Sequence, residues 1–412
     1  MISSASRLAC FRIILVCCWI VVSVAVRTHA AAPFFEGDVP VFENRAKTYY
    51  RLPSLLVTSK GTVLAAGQKR LGETGDFAPS SLVLRRSGDG GKLFEPEQTL
   101  FWREGNVTFN GNLVEDRQSG TIFACFITFP KAEQKTWFQE KWFPAGGGFS
   151  VVKSADDGKT WSAPIEVMPL PNAEGWHGGG AFNNNHGVQL QRGPHAGRLV
   201  ICARVVKPGV YEARGKGGLI YSDDHGATWR VGGVMLKDFG GINTEVSVGE
   251  TGDGEVYVNS RNAVDKAEAQ AKKSGAADAV PKGFVPHQRI YSRSRDGGES
   301  FYEEGCHAEL FDGPCNAGQT RIILSEDGSR DVMLFTAPPV RDRTHLTGYL
   351  SHDGGRTWKV GKVISENAGG YSDAAVTRDG TILTSYENGR DKTKARGLLL
   401  ARYNLEWLQE KK

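Results

Sequence analysis

The sequence predicts an all-β chain folded as a six-bladed β-propeller, and three observations predict it. An eight-residue pattern, Ser-x-Asp-x-Gly-x-Thr-Trp, recurs five times. It reads in full at Ser154–Trp161, Ser222–Trp229 and Ser351–Trp358, ends in Ser-Phe at Ser294–Phe301, and is loosest at Ser87–Phe94, where Leu93 replaces Thr. Its aspartates fall at 89, 156, 224, 296 and 353, giving intervals of 67, 68, 72 and 57 residues. Similarity at a long, nearly fixed period marks an array of repeated units. Alternating apolar stretches precede the copies, as in Gly148-Phe-Ser-Val-Val-Lys before Ser154 and Thr347-Gly-Tyr-Leu before Ser351.

Each copy carries turn chemistry. Asp and Ser side chains can bond backbone amides inside a tight loop, and Gly tolerates positive φ. Strand, turn and strand repeated about every 65 residues make a four-stranded blade. About 375 residues at that spacing give six blades, the sixth without a recognisable box.

Residues 1–30 read as a secretory signal. Arg7 and Arg12 open it, Ile13–Val26 is an apolar run of 14, and Thr28-His29-Ala30 offers a small-residue cleavage site. The run is short for a membrane span, which needs about 20 residues. The propeller is then expected over 34–408, in a secreted or periplasmic protein; a membrane anchor is the lesser reading.

The formal net charge is +4, but Arg7, Arg12 and Arg27 leave with the signal, so 47 basic against 46 acidic residues leave +1. A near-neutral chain gives no electrostatic case for nucleic acid or membrane-surface partners. Three of the seven cysteines lie in the signal. Cys125 and Cys202 sit in apolar strands and read as buried thiols. Cys306 and Cys315 flank a loop, where export leaves a disulfide open. No Cys/His spacing suggests a metal, and no cofactor is expected. One stretch, Asp265–Pro281, is rich in Ala and Lys and reads as a helical insertion.

A second set of segments carries chemistry. Tyr50-Arg51-Leu52-Pro53 is followed by Arg70 after 19 residues and by Asp76 after six more. Further on stand Asn243-Thr-Glu245-Val, Tyr257-Val-Asn-Ser-Arg261, Arg343-Thr-His-Leu, Gly370-Tyr371-Ser-Asp373 and Thr384-Ser-Tyr-Glu387. The repeat resembles the Asp box of sialidases, which are six-bladed propellers, and these segments resemble that family's active-site motifs in order and spacing. The resemblance to exo-α-sialidases of glycoside hydrolase family 33 runs from about Phe42 to Tyr403. It implies Asp76 as acid and base, Tyr371 as nucleophile with Glu245 as its base, and Arg51, Arg261 and Arg343 as a carboxylate-binding cluster. Arg341, two residues from Arg343 and expected on the same strand face, is the alternative for the third arginine. Arg70 shares the site and Glu387 steadies Arg51. Asn110 stands where the family reads Asn-Pro or Asp-Pro, a pattern that Gly111 breaks. The loop over Gly175–Gly187 would shape the pocket for the substrate's N-acyl group or glycerol tail, with His177 and His186 as hydrogen-bonding residues.

These residue types suit the implied reaction. Sialic acid bears a carboxylate on the carbon that undergoes displacement, and guanidinium groups bind such an anion bidentately while always charged. A carboxylate nucleophile would meet that anion with like charge; a neutral phenol avoids the repulsion, as in the sialidase exception to two-carboxylate hydrolysis. A phenol with a reference pKa of about 10 needs a base, which Glu245 supplies. The implied activity is hydrolysis of terminal sialic acid from glycoproteins, glycolipids and oligosaccharides, by a monomer. Alternatives are a trans-sialidase or intramolecular trans-sialidase, another exo-glycosidase, and a non-catalytic propeller that binds glycans or proteins.

Overall fold

The computed structural model describes residues 31–133, 149–178, 185–207, 216–238, 243–265, 268–269, 282–313, 315–367, 369–388 and 396–410. The predicted signal segment and most of the predicted helical insertion lie outside these; Val264, Asp265, Glu268 and Ala269 are helical. Pro33–Lys412 forms one compact unit.

Six antiparallel sheets make six blades. Blade 1 holds, in order, Thr48–Val57, Val63–Leu71, Ser80–Ser87 and Gln98–Phe101. Blade 2 runs over Asn106–Asp116, Thr121–Pro130, Phe149–Ser154 and Ile165–Val167. The inner edge of blade 3 is split into two short strands, His177–Gly178 and Val188–Gln189; Leu199–Val206, Lys216–Ser222 and Arg230–Val234 follow outward. Blade 4 comprises Asn243–Glu250, Val256–Asn262, Gln288–Ser294 and Glu303–Phe311, and blade 5 Gly318–Ile322, Val332–Ala337, Leu346–Ser351 and Lys359–Ser365. Blade 6 takes Ser372–Val376, Ile382–Asn388 and Gly397–Tyr403 from the C-terminal end. Its fourth strand is the N-terminal Phe35–Glu43, which pairs with Gly397–Tyr403 and closes the ring. Each blade remains its own sheet, and the radial arrangement leaves only short, protected edges.

All five boxes occupy the turn from third to fourth strand, in blades 1 to 5. Blade 6 can have none, because its third and fourth strands come from opposite ends of the chain. In every box the Ser Oγ accepts from the Gly amide at 2.8–2.9 Å, as from Gly158 and Gly226, and donates to the Asp carboxylate. The carboxylate in turn accepts the amide of the Thr position and, in four copies, its hydroxyl at 2.5–2.6 Å. Leu93 keeps the amide bond to Asp89 but has no hydroxyl. The turn needs two successive positive φ angles, 57° at His225 and 77° at Gly226 in blade 3. At Gly226 a Cβ would also collide with Phe123 of blade 2, so the box glycine packs against the blade before it. The remaining apolar side chains fill the gaps between neighbouring sheets, for example Phe123, Ile201 and Trp229 between blades 2 and 3.

Cys125 and Cys202 are buried free thiols, as the sequence predicts. Cys306 and Cys315 are also free. Cys315 is buried with Sγ directed at the carbonyls of Gly369 and Gly370, which resolves the open disulfide question in favour of separate thiols.

Candidate active site

In an antiparallel blade, the start of the first strand, the end of the second and the loop to the third share one face, and the third-to-fourth turn lies on the other. Arg51 and Glu245 lie near the starts of first strands, and Tyr371 directly precedes Ser372–Val376. Arg70, Arg261 and Glu387 lie near the ends of second strands, and Asp76 and Arg343 in second-to-third loops. All eight therefore belong to the face opposite the boxes, contributed by blades 1, 4, 5 and 6.

Three first strands carry a bulge at this end. Two residues oppose one between Arg51 and Ser54, between Asn110 and Leu113, and between Asn243 and Val246. A bulge bends the strand and re-aims a side chain. In blade 1 it contains Leu52, with φ of 57°, and Pro53, which has no amide to lose. Leu52 is held there because its amide donates to Glu387 Oε1 at 3.0 Å. The side chain of Asn110 lies outside the described residues.

Arg51 and Glu387 form a buried bidentate pair, Nε–Oε1 2.5 Å and Nη2–Oε2 2.9 Å. Burial opposes ionisation of Glu387, but the Arg51 charge and hydrogen bonds prevail and hold the carboxyl below its ordinary range. Burial likewise disfavours the Arg51 cation, and Glu387 more than restores it. Arg51 Nη1 is buried without a hydrogen-bond partner. Such a donor is costly to leave unmet, so it is a strong candidate to receive an anion.

Arg70, almost fully buried, donates from Nε to Gln68 and from Nη1 to Asp76 Oδ1 at 3.0 Å. Burial and the nearby Arg51 charge push it down to about 10, still cationic at neutral pH. Asp76 itself projects into solvent, with its side chain 61% exposed.

On the other side, Arg261 Nη1 donates to both Glu245 oxygens at 3.1 Å. The Tyr371 hydroxyl donates to Glu245 Oε1 at 2.5 Å. Burial and the Glu245 charge push the phenol well above its ordinary value, and Arg343 and Arg261 pull only partly the other way, so it is neutral at rest. The guanidinium carbons of Arg343 and Arg51 lie 5.3 and 5.9 Å from the Tyr371 ring centre.

Arg343 thus faces the cluster, whereas Arg341 is turned to Asp265 Oδ2 at 3.3 Å and His287 Nδ1 at 3.2 Å. The expectation that both share a strand face is corrected. They lie in the loop before Leu346–Ser351, and Arg343 has a φ of 61°, which separates their directions. His186 is a buried hydrogen-bonding residue, with Nδ1 3.0 Å from Asp373. His177 opens the short strand His177–Gly178.

Sequence reasoning missed the supports beneath these residues. Gln68 orients Arg70. Under Arg261, buried Asp312 accepts from the Asn262 amide and from fully buried Arg289. Burial raises the Asp312 carboxyl to about 6 against the pull of Arg289. Gln68 adjoins a quoted motif, but nothing local marks either residue as buried. Among the described residues no group of His, Cys, Asp and Glu could hold a metal ion.

Fold and site define an Asp-box propeller with a buried arginine–carboxylate cluster on one face. Residues 83–383 match the BNR repeat-like domain, and the chain belongs to that family. It is 30% identical to a sialidase of Micromonospora viridifaciens over 387 residues, covering 91% of this chain and 54% of that protein. It is 25% identical to a sialidase of Bacteroides fragilis over 365 residues, 82% of this chain and 60% of that protein. The chain thus spans little more than half the length of these relatives. The fold is shared with the intramolecular trans-sialidase from Ruminococcus gnavus in complex with oseltamivir carboxylate. That match has a TM-score of 0.67 at 17% identity and covers 88% of this chain and 96% of that one.

Proposed function

We propose that this protein is an exported exo-α-sialidase that hydrolyses terminal sialic acids with retention, using Tyr371 as nucleophile. The observation that carries the reading is the 2.5 Å contact from the Tyr371 hydroxyl to Glu245, with Arg51 and Arg343 at the same phenol. The arginines bind the substrate carboxylate, with the unmet Arg51 Nη1 as one donor. As the phenol attacks the anomeric carbon, its proton passes to Glu245; this is needed because the buried phenol does not ionise on its own. Asp76, beside Arg70 and open to solvent, protonates the departing glycosidic oxygen. In the second half it takes a proton from water, which displaces tyrosine, and Glu245 returns its proton to the phenolate. Two displacements at one carbon give net retention. Asn110 contributes to substrate binding at the bulge of blade 2, and the protein acts as a monomer on sialylated glycoconjugates. Export follows from residues 1–30; among the described residues no helix is long and apolar enough to cross a membrane.

The test is turnover of a fluorogenic α-sialoside by purified protein, with the first product identified by NMR. The expected product is the α-anomer of free sialic acid. The β-anomer formed first would rule out retention, a 2,7-anhydro product would indicate intramolecular transfer, and no turnover would leave a glycan-binding propeller.

A further inference from the structure

Beneath the site, where the inner strands converge, lies a polar cluster that the proposed chemistry does not use. Asp373 is fully buried. Its Oδ2 accepts from the amides of Leu55 in blade 1 and His186 in blade 3, at 2.8 and 2.9 Å. Its Oδ1 accepts from His186 Nδ1 at 3.0 Å, Asn185 Nδ2 at 3.1 Å and the Ala374 amide at 2.9 Å. An ionised carboxylate only accepts, so His186 carries its hydrogen on Nδ1. Asn185 extends the cluster. Its Nδ2 also donates to the carbonyls of Ala317 in blade 5 and Ser372 in blade 6. Its side-chain oxygen accepts from Asn316, which also reaches the Val246 carbonyl in blade 4, and its backbone carbonyl accepts from Asn112 in blade 2. All six blades meet here through about a dozen polar atoms.

We propose that Asp373, with His186 and Asn185, is a positioning device for the Tyr371–Glu245 pair, an inference that rests on the functional reading above. One backbone group it grips, the Ser372 carbonyl, directly follows Tyr371, and Asn316, which donates to Asn185, reaches the carbonyl of Val246, directly after Glu245. These two side chains lie on blades 4 and 6, 126 residues apart, and meet at 2.5 Å. A packed apolar core fixes blade spacing softly, because dispersion has no direction. A buried carboxylate with five donors fixes it sharply, because each donor must point at an oxygen. A misplacement of about 1 Å can cost 10²-fold in rate.

The device acts on the chemical step and leaves substrate binding to the arginines. Asp373→Asn puts an NH₂ group against amide donors and should lower kcat about 100-fold, with sialic acid affinity within about twofold, since Arg51–Glu387 is untouched. His186→Leu removes the Nδ1 donor and should lower kcat about 10-fold by the same misplacement argument. His186→Asn keeps a donor there and should retain most activity. Thr228→Val, in a box on the opposite face, reports how far kcat falls from loss of stability alone. If Asp373→Asn does not fold, the two His186 variants carry the test. Equal kcat in those two, or a folded Asp373→Asn with wild-type kcat, overturns the inference. Crystal structures give a readout independent of activity: in Asp373→Asn or His186→Leu, the Tyr371 hydroxyl should move beyond about 3.5 Å from Glu245, outside hydrogen-bond range. An unchanged contact overturns the inference. An inactive wild-type protein sinks the functional reading instead, and the crystallographic comparison still decides the positioning role.

Discussion

The two faces of the propeller are built from opposite kinds of contact. On the box face the aspartate carboxylate of each turn bonds within its own eight residues: in blade 3, Asp224 bonds Ser222 and Thr228, two and four residues away. On the other face the decisive bonds join distant parts of the chain. Arg51 meets Glu387 across 336 residues, and Tyr371 meets Glu245 across 126. Box aspartates are largely in contact with water, while Arg51, Arg70 and Glu387 are buried charges that exist only as partners. Removing one partner of a buried pair leaves an uncompensated charge, whereas a solvated turn can exchange a lost bond for water. Repetition therefore writes the architecture on one face, and singular residues write the chemistry on the other.

The sharpest way to break that contrast is at Tyr371. Tyr371→Phe removes one oxygen from the site face and should lower kcat by roughly 10³-fold or more, the scale of losing a covalent nucleophile. A 3-fluorosialosyl fluoride should label the wild-type protein on the Tyr371 oxygen with loss of fluoride, since the ring fluorine slows breakdown of the adduct. Peptide mass spectrometry locates it. Tyr371→Phe should not label but should still bind sialic acid, and Glu245→Gln should label Tyr371 more slowly. An adduct on Asp76 or Glu245 would overturn the tyrosine mechanism.

Asp76 is the exception on the site face, a solvent-exposed carboxylate, and the role proposed for it is specific to the leaving group. Asp76→Asn should depress kcat/KM on natural sialosides about 10²–10⁴-fold, the usual worth of general acid–base help. On an aryl sialoside whose leaving group needs no proton, the loss should be much smaller. Equal losses on both substrates would mean that Asp76 only holds Arg70.

The contrast also explains what could be read beforehand. The boxes announced blades because a turn's chemistry is contained in eight consecutive residues. The missing sixth box follows from a join between chain ends, which a linear spacing does not display. The eight site residues on the far face were legible as spaced motifs, through the resemblance. The choice between Arg341 and Arg343 was not, because it turns on a φ of 61° in a loop that reads as strand-like. Asp373 stood inside a quoted motif, yet its five donors come from three blades and no local signal marks them. The separate state of Cys306 and Cys315 is likewise a matter of placement: Cys315 faces Gly369 and Gly370 of blade 6 rather than its sequence neighbour.

The smallest effect belongs to the box face, and it should be one of stability alone. Asp296 accepts from Ser294 Oγ, the Glu299 and Ser300 amides and Ser300 Oγ at 2.5–3.0 Å. Partial burial opposes ionisation, but these bonds outweigh it and hold the carboxyl below its ordinary range. A depressed folded pKa contributes stability that is present above the unfolded value, about 3.9, and is lost as pH falls through the folded value. Asp296→Asn keeps one acceptor oxygen and loses the other. At pH 7 it should cost about 1 kcal/mol or less, since the site is partly solvated, and lower Tm by about 1–2 °C in a domain of this size. Measured against pH, the gap between wild type and variant should stay constant from neutral down to about pH 5 and then narrow as both become uncharged. Because the turn points away from Tyr371 and the Asp296 carboxylate bonds within its own box, kcat and KM should not move. A variant that folds yet loses turnover would mean the two faces are coupled through the blade, and the separation of architecture from chemistry would fail.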